Sequence, residues 1–87
     1  MSSAETHAET HAAAVAAQLA AATGGEPRLH ATSDRIRIEA DVPEDLGPEP
    51  QAAILSALAQ GARYGHQRTH GGGDTVWVEI DRSEVNE

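Results

Sequence analysis

Two segments of this chain alternate so strictly that they leave little freedom in how they fold. In Arg35–Val42, Ile36, Ile38, Ala40 and Val42 fall on one side and Arg35, Arg37, Glu39 and Asp41 on the other. In 75–81, Val76, Val78 and Ile80 share one side. A period of two is the signature of a β-strand with one buried face. A one-residue slip would turn every apolar side chain to water, so the assignment is rigid. It has one awkward consequence. Trp77, the only tryptophan, falls with Thr75, Glu79 and Asp81 on the charged side. An indole on a polar sheet face implies that something covers it, either another part of the chain or another molecule.

The remaining elements follow from local signals. Residues 1–24 predict an Ala-rich helix, because alanine is the best helix former and Gly24-Gly25 supplies a stop. Ser2 and Glu5 have capping-box spacing. Its only large apolar residues beyond Met1 are Val15 and Leu19, which form a narrow seam with Ala12 and Ala22. The first ten residues are expected to fray, and the rest to dock in cis or on a second subunit. Residues 28–33 read as a short strand in a hairpin with Arg35–Val42, since Thr32, Ser33 and Asp34 are turn formers. Pro48 and Pro50 suit a first helical turn, and Ile54, Leu55, Leu58 and Ala62 repeat at helical spacing, which predicts a helix over 48–64 ending at Gly65. Residues 66–74, with three consecutive glycines, read as a flexible polar connector.

The expected fold is a small α+β domain of element order α-β-β-α-β. Its sheet is mixed and three-stranded, with one helix on its apolar face. A strand–helix–strand unit of this kind predicts parallel strands and a right-handed crossover. The organisation expected is a helical segment 1–25 with a Gly-Gly hinge, a core over 26–82 and a polar tail over 83–87.

Composition limits what such a core can do. Ile, Leu and Val total 14 of 87 residues and there is no Phe. Small cores usually need disulfides, a metal or a partner. Cysteine is absent, so disulfides and thiolate metal sites are excluded. Self-association is then the leading source of extra stability, and imidazole metal binding the next. The net charge of −8 argues against nucleic acid as a direct ligand, since phosphate binding is driven by Lys and Arg. All six basic residues are Arg, which removes Schiff-base and P-loop lysine chemistry; with the high Ala and Gly content this fits a bacterial, high-GC genome. The start of the chain has no basic, apolar leader pattern, and a cytoplasmic protein is expected.

Candidate chemistry is sparse. His7 and His11, and again His66 and His70, stand four apart, the spacing of paired imidazole ligands. Neither pair sits in an H-E-x-x-H sequence, and solvated histidines are the alternative. No bound metal or cofactor is expected. Parallel strands would gather Asp41 and Asp81 at one end of the sheet, with Glu39 and Glu79 behind, as a patch for a cation or a basic protein. Arg37 could stack on Trp77, an arrangement enriched at interfaces. The alternative is that the N-terminal helix covers the indole. Ser33, Ser56 and Ser83 lack a nucleophile-elbow sequence, and no catalytic triad is visible.

The residues therefore point to a non-enzymatic, acidic protein-interaction module that homodimerises. Its expected contacts are Trp77 and Arg37, the helical seam of Val15 and Leu19, and the acids Glu39, Asp41, Glu79 and Asp81. Its partners are expected to be itself and an unidentified protein, for which a basic surface would be complementary, with no membrane and no direct nucleic acid. Two alternatives remain. One is an acidic antagonist from a mobile element that mimics nucleic acid toward a nucleic-acid-processing protein. The other is a histidine-dependent metal binder.

Overall fold

In the computed structural model the two alternating segments are the two central strands of one sheet. Residues 3–68 and 73–82 are described, with side chains from residue 7 onward. The order is α1 (Ser3–Thr23), β1 (Arg28–Ala31), β2 (Arg35–Val42), α2 (Pro48–Leu58), β3 (Arg63–Arg68) and β4 (Asp74–Asp81). The chain is a small α+β domain with two helices and a four-stranded sheet of spatial order β1-β2-β4-β3. Every neighbouring pair is antiparallel.

Three expectations are corrected by this topology. The sheet has four strands rather than three, and it is antiparallel rather than mixed. The element order is α-β-β-α-β-β. The cause is one segment: α2 ends at Leu58 rather than at Tyr64, and Arg63–Arg68, assigned above to the helix end and the following loop, is a strand. An extra strand between helix and last strand reverses the direction of the last strand. No crossover is then required, and β4 pairs antiparallel with β2.

The early helix stop has a local reason. Gly61 lies so close to β4 that a Cβ would collide with the Val78 side chain and the Glu79 carbonyl. The Gln60 and Gly61 amides donate to Ala57 and Leu58 carbonyls at 3.1 Å, tightening the last turn. The Ala62 amide then donates to the Glu79 carbonyl at 2.8 Å and carries the chain onto the sheet edge.

Cross-strand pairs Ile36–Ile80, Ile38–Val78 and Ala40–Val76 make the apolar floor. Both helices pack on it. Ala8, Ala12, Val15 and Leu19 of α1 form one seam, and α2 adds Ile54, Ala57 and Leu58 to the same core. Alanines in the α1 seam let its backbone approach closely, so a helix with two large apolar side chains among its described residues still buries a full stripe. Gly24 closes α1 at φ 79°, a left-handed cap that glycine adopts without a Cβ penalty, with its amide on the Ala20 carbonyl at 2.9 Å.

With both helices on one face, the other face of the sheet carries no element among the described residues. The α1 cover considered above for Trp77 is therefore excluded: α1 packs against the opposite face.

Candidate functional site

The register decides what the open face displays. Arg28 and His30 of β1 stand opposite Glu39 and Arg37 of β2. Arg35, Arg37, Glu39 and Asp41 face Asp81, Glu79, Trp77 and Thr75 of β4. Arg63, Gly65 and Gln67 of β3 stand opposite Glu79, Trp77 and Thr75. Four of the six arginines are thus on one surface, matched by four carboxylates.

These charges form a single chain across all four strands. Arg28 reaches both oxygens of Asp41, at 3.3 and 3.2 Å, and lies 3.7 Å from Glu39. Arg37 donates from Nε to Glu39 at 2.8 Å and from Nη1 to Glu79 at 3.0 Å. Arg63 donates to Glu79 at 3.0 Å and to Asp81 at 2.8 Å. Arg35 completes the set at 3.5 Å from Glu79. Glu79 is the centre, a buried carboxylate at 7% exposure with three guanidinium groups around it.

The pairing tunes Glu79, Glu39 and Asp41 in one direction. Arg63 first, with Arg37 and Arg35, holds the Glu79 carboxyl below its usual range against the opposing effect of burial. Arg37 does the same for Glu39, and Arg28 for Asp41. A general acid or base works best with a pKa near the working pH. Carboxylates pushed further from neutrality are a fixed charged framework, and the arrangement can recognise a surface more readily than it can move protons.

Trp77 sits in this framework. Its neighbour across β3 is Gly65, where a Cβ would come within 2.6 Å of the indole Cε2, Cζ2 and Nε1. The missing side chain is the space that the indole occupies. On its other side the Arg37 guanidinium carbon lies 4.4 Å from the ring centroid. The stack expected from sequence is present, but by a diagonal relation: Glu39 is directly opposite Trp77, and Arg37 is one step along. Gly65, read above as a helix stop, is part of the site, as is Arg63; a glycine within a short polar segment gave no signal without the strand assignment.

The acidic patch expected at one sheet end is not formed. Antiparallel pairing places Asp41 beside Thr75 and Asp81 beside Arg35, at opposite ends. Each of Glu39, Asp41, Glu79 and Asp81 is tied to arginine, so together they offer no free anionic surface. Val15 and Leu19 are fully buried in the core, so neither is available on the surface. The histidines are dispersed. His7 and His11 lie on α1, and His66 lies on β3 with Nε2 3.4 Å from Asp74. His70 lies outside the described residues, as does most of the glycine loop. Among the described residues no three of His, Cys, Asp and Glu are placed to hold a metal ion. Nor is any described helix long and apolar enough to cross a membrane.

No family model, curated protein or solved structure matches this chain.

Proposed function

We propose that the protein is a non-enzymatic interaction module that docks through its helix-free sheet face, and that its first partner is a second copy of itself. The observation that carries this reading is the placement of both helices on the apolar face, which leaves the Trp77–Arg37 stack without cover among the described residues.

Charge selects the same surface. The chain carries −8 overall, yet the open face balances four arginines against four carboxylates. Among the described side chains the excess negative charge lies outside this face, so two copies repel least when they meet here. The ion pairs are already made within each chain, which lowers the cost of taking them out of water. Trp and Arg are the residue types that dominate binding energy at protein interfaces. A domain with so few large aliphatic side chains also gains most from burying one more apolar group.

The test is the solution mass by sedimentation equilibrium. Wild type is expected at twice the chain mass of 9.1 kDa, and Trp77→Ala at the monomer mass with its far-ultraviolet spectrum retained. A folded Trp77→Ala that stays dimeric would remove the sheet face from the interface.

A further inference from the structure

The open face is polarised along its strands. Toward the Arg35 end of β2, Arg35, Arg37 and Arg63 stand among two carboxylates, Glu79 and Asp81. Toward the other end Arg28 stands with two, Glu39 and Asp41. β2 shows the pattern most plainly, with both of its arginines at one end and both of its acids at the other. Across the strands the face is nearly even, because each edge strand brings one arginine to it, Arg28 on β1 and Arg63 on β3.

The two ends of β2 also hold the least committed charges. Arg35 has only long contacts, 3.5 Å to Glu79 and 3.8 Å to Asp34, and its side chain is 45% exposed. Asp41 is the most exposed of the four carboxylates, at 72%. It accepts from Arg28 and Thr75 at 3.2–3.3 Å, and a carboxylate has room for about four such bonds, so one more donor can join.

Building on the reading that a second copy closes this face, we propose that the two copies meet with their strands antiparallel, so that Arg35 of each pairs with Asp41 of the other. The two-fold axis then runs across the strands at the level of Ile38. A two-fold interface presents one patch to itself, so every unlike contact is made twice. With the axis across the strands, β2 lies along β2 of the other copy in the reverse direction. The arginine-rich end of each copy covers the acid-rich end of the other, and Arg37 meets Glu39 of the other copy. An axis along the strands would instead stack arginine-rich end on arginine-rich end. Charge complementarity selects the first arrangement. Packed sheets keep their strands within about 30° of each other, an offset that the long arm of Arg35 spans. Arg35 gains a carboxylate partner without giving up a hydrogen bond in its own chain.

Charge reversal tests the arrangement, with mass in solution read by native mass spectrometry. Arg35→Asp and Asp41→Arg should each be folded and monomeric where wild type is dimeric. Mixed in equal amounts they should form the mixed dimer, since one chain offers acids at positions 35 and 41 and the other offers arginines at both. Neutral variants test the same contact without repulsion. Arg35 and Asp41 lie at opposite ends of β2, about 20 Å apart, too far to couple within one chain. Arg35→Gln and Asp41→Asn should each raise the dimer dissociation constant about fivefold, and the double variant should raise it no further, the mark of a direct contact. Effects that multiply in the double variant overturn the arrangement. So does rescue of Arg35→Asp by Asp81→Arg in place of Asp41→Arg, which an axis along the strands would produce. A monomeric wild type, or a Trp77→Ala that stays dimeric, overturns instead the underlying reading that this face is the interface.

Discussion

The two faces of the sheet are built from the same alternating strands and are held together by different physics. On the covered face Ile38, Val78, Val15 and Leu19 lose all contact with water, and burial supplies the stabilisation without demanding direction. On the open face the order comes from directional contacts: Glu79 among three arginines, Arg37 over the indole, and a glycine that makes room for it. A surface that needed only solubility would not require a buried carboxylate or a recessed tryptophan. The contrast identifies the covered face as the source of the fold and the open face as a rigid, pre-ordered surface.

Substitutions on the two faces should separate these roles. The largest effect is expected at the covered face: Ile38→Ala should cost about 3–4 kcal/mol in urea unfolding, the range for emptying a close-packed aliphatic site. Such a loss would leave a thin core close to unfolding. On the open face Glu79→Ala should cost less, about 2 kcal/mol. It strands three guanidinium groups, but these are partly hydrated and recover some solvation, which keeps the loss below the ~3–5 kcal/mol of a fully buried pair.

The same carboxylate sets the pH response. Its pKa is lower in the folded chain than its usual 4.5, so its contribution is complete above that value and drains as pH falls through the folded value. The stability gap between wild type and Glu79→Ala should therefore be flat near neutrality and close under acid conditions. A gap that persists at pH 2 would mean that Glu79 acts through packing rather than through its charge.

The smallest effect is expected from Gly65→Ala. The new methyl would meet the indole at 2.6 Å, and the ring must tilt off Arg37 toward solvent. About 1 kcal/mol of destabilisation is expected, together with a red shift of tryptophan emission. An unshifted emission maximum would show that the backbone, not the indole, gives way.

How much of this was legible in the sequence follows from the same distinction between faces. Ile36, Ile38, Val76, Val78 and Ile80 announced their strands and their shared face, because burial of one side writes a period of two into the chain. The misplaced Trp77 and its contact with Arg37 were legible for the same reason. Arg63–Arg68 was not. As an edge strand with neither face fully buried it carries no alternation, and its glycine, which accommodates the indole, reads locally as a helix stop. Missing it reversed the expected direction of the last strand and gathered Asp41 and Asp81 at one end, where antiparallel pairing separates them.

The central claim, that the open face is closed by a second copy, is tested most directly by acrylamide quenching of the single tryptophan over a range of protein concentration. Because Trp77 is the only indole in the chain, the signal reports this face alone. The quenching constant should fall as concentration rises through the dimer transition and should stay high at all concentrations in Arg37→Glu. A quenching constant independent of concentration across a range where sedimentation shows dimer would contradict the account.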